Sequence, residues 1–150
     1  MKRNQNIVAL SRDHHFGLLC SWKIKKGMQS KIDFQRIKNY IQHFESHHLR
    51  SHFEEEENIL FPNSSEEIRK IIENDHAKIR ELAESLNHNE DESIFLEFAD
   101  LLTAHIRFEE RVWFPALENT LSEDVWKEIG LALDKIHIAE TDDYEDEFWR

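Results

Sequence analysis

Two stretches of the sequence repeat each other in residue types that bind metals or carry protons. His52 opens HFEEEENILFP, and 53 residues later His105 opens HIRFEERVWFP, with His, Glu at +4, Glu at +5, Phe at +9 and Pro at +10 identical. Residues four apart in a helix stand one turn above each other on one face. His52 with Glu56, and His105 with Glu109, therefore each aim an imidazole and a carboxylate at one place. A lone pair of this kind is usually a solvent-exposed ion pair. Here both histidines keep phase with apolar residues, Phe44, His48, His52 and Ile59 in one stretch and Phe98, Leu101, Leu102 and His105 in the other, so both face a core. Burying imidazole and carboxylate together costs desolvation, and a metal ion offsets it for both.

Further histidines join them. His76 is in phase with Ile68, Ile72, Ile79 and Leu86, and His14 and His15 stand in tandem near the start of the chain. Asp13-His14 echoes Asp75-His76 and lines His14 up with Ile7 and Leu10, whereas His15 is in line with Leu18, Leu19 and Trp22; the second alignment is preferred, with His14 the alternative. Four inward imidazoles, two with a carboxylate one turn on, fit a polynuclear metal centre better than four separately satisfied core histidines. His48, one turn before His52, is a candidate fifth ligand or a donor to one. His43, His47, His88 and His137 have no companion and read as surface residues, and Cys20 reads as a small buried apolar side chain.

Long helices must position these groups. Three Gly and two Pro in 150 residues are too few to turn a many-stranded sheet. Apolar residues recur at helical spacing over about 11–28, 33–60, 64–86 and 92–115, with Pro62 ending the second block and Pro115 marking a kink or stop in the fourth. Capping boxes at Ser64/Glu67 and Thr120/Glu123 open the third helix and a short fifth over 123–136. Short connections predict an all-α, up-down antiparallel four-helix bundle, with residues 1–136 as the domain and 137–150 as an acidic C-terminal tail. The six acids of that tail against one base read as a solvated segment, which Tyr144, Phe148 and Trp149 give a means of docking.

Ten Phe and four Trp with 39% apolar residues are enough for a folded domain. The net charge of −12 disfavours nucleic acid and anionic membranes as partners. One cysteine and the lack of a leader or a long apolar run suggest a soluble, reducing, cytoplasmic setting.

The order His, HxxxE, His, HxxxE on four successive helices, with Phe-Pro after both HxxxE motifs, resembles the haemerythrin-like family over about residues 7–118. The resemblance implies a non-haem di-iron centre. His52, His76, His105 and a first-helix histidine would be terminal ligands, and Glu56 and Glu109 the bridges. The sequence departs from oxygen-carrying members in two places. Ile72 stands where they carry a further histidine, and their last motif has the longer spacing that Glu110 would match, so Glu110 competes with Glu109. Two irons offer about twelve coordination positions, and the missing imidazole leaves two open instead of one. The implied partners are O2, peroxide or nitric oxide, since two ferrous ions can each give up one electron. Slow redox turnover is then as plausible as carriage. The alternative is a metal-responsive sensing or interaction module working through a separate protein partner. A ferritin-like oxidase is disfavoured: Glu45/His48 and Glu73/His76 have its Glu-x-x-His spacing, but on consecutive helices, and the first helix carries no Glu.

Overall fold

In the computed structural model, which describes residues 2–150, helix α1 spans Val8–Gln29. Its buried face includes Leu10, His14, Gly17, Cys20, Ser21, Ile24 and Met28, a spacing of three and four whose middle is built from small residues. Trp22 is 53% exposed; the bulky side chains that suggest a phase for this helix point away from the core. Gly17 permits a close approach, because a Cβ there would lie 2.4 Å from Ile106 Cδ1 on the fourth helix. The helix runs past Gly27 and ends before Lys31, whose φ of 57° brings the Ile32 N–H to the Gly27 carbonyl at 3.0 Å.

Helix α2 covers 34–60 and begins with the Asp33 carboxylate accepting the Gln35 N–H at 2.8 Å. Helix α3 is Glu66–Ser85, capped by Ser65 rather than Ser64, the Ser65 hydroxyl accepting the Ile68 N–H at 3.3 Å. The Ser64 hydroxyl instead donates to the Leu60 carbonyl at 2.7 Å and accepts the Trp113 indole N–H at 2.8 Å. Helix α4 covers 92–120 and does not stop at Pro115, which occupies the first turn of its last segment, Phe114–Thr120. Helix α5 is Glu123–Ile136, as the spacing predicts, but its cap is Ser122. The Thr120 hydroxyl donates backwards to the Ala116 carbonyl at 2.8 Å. Among the described residues there are five helices and no strand, and no helix is long and apolar enough to cross a membrane.

The repeat in the sequence has a counterpart in the backbone. Both α2 and α4 contain a π turn, Glu56–Leu60 and Glu109–Trp113, at the same offset within each copy; α2 has a second, Glu45–Leu49. Each π turn holds one residue more than a helical turn, so the helix beyond it is rotated by about 100°. Helical phase predicts Ile59 and Val112 as buried. Val112 is 44% exposed, and burial passes one residue on, to Leu60 and Trp113.

Two apolar clusters fill the interior, one holding Ile24, Phe53, Ile79 and Leu102, the other Leu10, Leu60, Ile72 and Trp113. Successive helices meet them in alternating order, and between them on each of α1 to α4 lie the buried polar residues His14, His52 with Glu56, His76, and His105 with Glu109. The acidic tail is not left in solvent. Phe148 and Trp149 are buried in the first cluster, and Lys23, itself buried, sits 3.9 Å from the Trp149 ring centre and pairs with Asp142. Arg36 binds both oxygens of Asp146 at 2.6 and 3.0 Å. The tail is thus anchored to the bundle at Asp142, Asp146, Phe148 and Trp149, while Asp143, Glu145 and Glu147 stay exposed.

Candidate metal centre

Four imidazoles and two carboxylates converge between the apolar clusters. One Glu56 oxygen lies 3.0 Å from His52 Nε2 and 3.8 Å from His14 Nε2, and its other oxygen lies 3.2 Å from His76 Nε2. Glu109 divides itself the same way, with one oxygen 2.8 Å from His14 Nε2 and the other 2.9 Å from His105 Nε2 and 3.7 Å from His76 Nε2. Two groups of four donors result, His14/His52/Glu56/Glu109 and Glu56/His76/His105/Glu109, each with its ligand atoms within 4.8 Å of one another. Both carboxylates belong to both groups.

Each imidazole is held from behind by a further carboxylate at Nδ1. Asp13 holds His52 at 2.9 Å, Asp75 holds His105 at 3.1 Å, Glu57 holds His76 at 2.6 Å and Glu110 holds His14 at 2.6 Å. Such contacts fix the ring and direct the Nε2 lone pair towards a metal. The arrangement mirrors the repeat: the Asp before each first histidine serves its own half, and the Glu after each shared carboxylate serves the other half.

The donors lack sufficient partners of their own. Both Glu56 oxygens, one Glu109 oxygen, and His76 and His105 Nε2 are buried without a hydrogen bond, a state that a cation at each group would relieve. The charge balance agrees. Burial works against protonated imidazoles, yet Glu56 and Asp13 carry His52 up to about 10, and Glu109 and Glu56 carry His76 up to about 9. His105 also rises to about 9, burial being outweighed by Glu109 and Asp75. Burial opposes the charge of Glu109, but His105 and His14 hold its carboxyl well below the usual range. The cluster draws positive charge, and imidazole nitrogen with carboxylate oxygen is a donor set suited to iron.

The family model of the Hemerythrin HHE cation binding domain matches residues 15–117, most of the chain, and again residues 67–147. The chain belongs to the haemerythrin HHE family. Curated proteins and solved structures give no match. The haemerythrin domain binds metal cations, and the converging His and Glu groups are the residues suited to that here. The second match begins in α3, where the His-then-HxxxE order starts again. The first begins one residue after His14, so the place of His14 rests on geometry.

That geometry corrects the preference within the tandem. His14 faces the cluster and stacks on Phe114 at 5.4 Å, whereas His15 is exposed; the phase set by Leu18, Leu19 and Trp22 belongs to the outer side of α1. Glu109, not Glu110, enters the centre. Of the Glu-x-x-His glutamates, Glu73 is exposed and Glu45 pairs with Arg50 at 3.2 Å. His48 is not in either donor group; it pairs with Glu140 of the tail. His137, expected at the surface, is largely covered, with Nδ1 2.7 Å from Glu55 and Nε2 3.5 Å from Asp13. Cys20 is buried, and burial pushes its thiol up to about 12, which leaves it chemically quiet. A cavity of about 20 Å³, room for one small molecule, borders His14, His52 and His105 and is walled mainly by Phe44, Leu49, Phe53, Leu102 and Ile106.

Proposed function

We propose that this haemerythrin-family chain holds two iron ions and that the centre binds or reacts with O2, peroxide or nitric oxide. The observation that carries the reading is the division of Glu56 and of Glu109, each with one oxygen towards the His14–His52 pair and the other towards the His76–His105 side. A carboxylate divided in this way would give one oxygen to each of two ions. Iron supplies the redox chemistry, one electron from each ferrous ion.

The chain's own residues do the rest. Asp13, Asp75, Glu57 and Glu110 hold the four Nδ1 atoms, so the Nε2 atoms stay aimed inward. Phe53 stacks on His76 at 3.8 Å and Phe114 on His14, excluding water from the ring faces. The apolar cavity lets a small neutral molecule approach the His14–His52 position. Ile72 lies in the other apolar cluster with Leu60 and Trp113, so the side left without a histidine is filled by packed carbon, and exogenous ligand is expected first at the cavity.

Anaerobic iron loading with subsequent metal analysis and optical spectroscopy tests the reading. About two irons per chain and near-ultraviolet absorption in the oxidised protein are expected. A single ion per chain, or zinc retained in preference to iron, would defeat it.

A further inference from the structure

The cavity beside the centre has one wall that does not belong to the bundle. Glu140, on the segment that leaves α5, reaches into it and pairs with His48 Nδ1 of α2. Its side chain is 7% exposed, while Ile138 is 83% exposed. The segment turns its charged residue inward and its apolar one outward, the reverse of what burial alone favours. It is fastened on both sides of this point. His137 binds Glu55 before it; Asp142 on Lys23 and the buried Phe148 and Trp149 secure it afterwards. Between the fastenings at His137 and Asp142, residues 138–141 make no backbone–backbone hydrogen bond with any described residue. The backbone there is free to shift while its ends stay docked.

We propose that Glu140 is an access residue: its pairing with His48 closes the cavity, and its release opens a path for a small neutral molecule to the His14–His52 side of the centre. The inference rests on the proposed function, in which the centre takes an exogenous ligand. The same geometry selects by charge, since an anion entering here meets the carboxylates of Glu140 and Asp13, both lining the cavity, and a neutral diatomic does not meet that repulsion.

Stopped-flow binding to the iron-loaded protein tests this. In Glu140→Ala, nitric oxide should associate and dissociate about tenfold faster with Kd changed by less than about twofold, the factor expected when one close polar contact holding a path shut is lost. Glu140→Gln should speed azide more than nitric oxide. Asp146→Asn, which loosens the tail at Arg36 instead, should leave both rates as in the wild type. Backbone NMR relaxation on the protein as purified reads the same latch without reference to iron: Glu140→Ala should lower the order parameters of residues 139–143 and leave those of 147–150 unchanged. Rates that ignore Glu140, or a changed Kd with an unchanged association rate, would overturn the access role alone. If the order parameters of 147–150 fall as well, so that Glu140→Ala frees the whole tail, Glu140→Gln decides, and an azide rate equal to wild type overturns the inference. No response to nitric oxide or azide in any variant would overturn the proposed function itself.

Discussion

The two halves of the molecule are alike where they meet the centre and unlike behind it. Helices α1 and α2 bring Asp13, His14, His52, Glu56 and Glu57, and helices α3 and α4 bring Asp75, His76, His105, Glu109 and Glu110, each with a counterpart in the same position and with the same duty. Behind the imidazoles the likeness ends. The Asp13 side chain is 7% exposed and lies under His137, whereas that of Asp75 is 26% exposed. His14 and His52 border the cavity, and of the other half's imidazoles only His105 does; His76 is covered by Phe53. The repeat specifies the donors, and what reaches them is decided by a position where its copies differ, Phe53 against Ile106, and by the tail, which lies outside it.

Deleting a shared carboxylate should erase the likeness altogether. Glu56→Ala or Glu109→Ala removes a donor from both groups, so metal content after iron loading should fall from about two ions per chain to below one. Glu54→Ala, on the exposed face, should have no effect, and Glu57→Ala should fall between because Glu57 holds His76. Equal metal content in all four variants would remove the donor assignment.

Next in size is the tail, which packs on α1 and α2. Trp149→Ala should cost about 3–5 kcal/mol in urea unfolding, as for other large side chains taken from a core, while metal stoichiometry stays as in the wild type. A cost near zero would mean that the tail is not docked in solution.

The carboxylates behind the rings sharpen the comparison further. Asp13→Asn and Asp75→Asn should each weaken metal binding by about 10–100-fold in chelator competition, the usual effect of losing such a support. Asp13→Asn should have the larger effect, because Asp13 is the more deeply buried of the two carboxylates and water does not reach it to compensate for the lost charge.

Another effect concerns pH. The folded metal-free protein raises His52 to about 10 and His76 and His105 to about 9, against about 6.5 when unfolded. Stability from these protonated rings is complete below the unfolded value and is lost as pH climbs through the folded ones, by about 1.4 kcal/mol per pH unit for one such group. Metal binding displaces the same protons and so strengthens over that range. The gap in Tm between metal-bound and metal-free protein should widen from pH 6.5 to 9, and a gap that narrows would contradict this balance of charge in the centre.

The pairs His52–Glu56 and His105–Glu109 are legible in the sequence because helical spacing and apolar phase agree at both. His14 is legible only as the alternative to His15: the echo of Asp75-His76 points to it, but the buried side of α1 at that level is made of Gly17, Cys20 and Ser21, which carry little apolar signal beside Leu18 and Trp22. The supporting carboxylates are visible in the echo, as the second Glu of each motif and the Asp before each first histidine, but adjacent residues on a helix point different ways, and only packing shows that Glu57 and Glu110 serve the opposite half. The π turns leave no mark on composition. The tail's partners lie far off in sequence, 110 residues in the case of Arg36 and Asp146, beyond the reach of any local pattern.

The crossed supports have a further consequence. His14 and His52 need Glu109 to finish their position, His76 and His105 need Glu56, and Glu57 and Glu110 each steady a ring in the opposite half. A chain cut in the polar loop at 87–91 would yield two fragments, each with an unfinished chelate and buried charge that nothing answers. The apolar clusters, which both fragments share, would draw them together, and the proposed ions would add a second fastening, so that the split protein should assemble more tightly with metal than with a chelator.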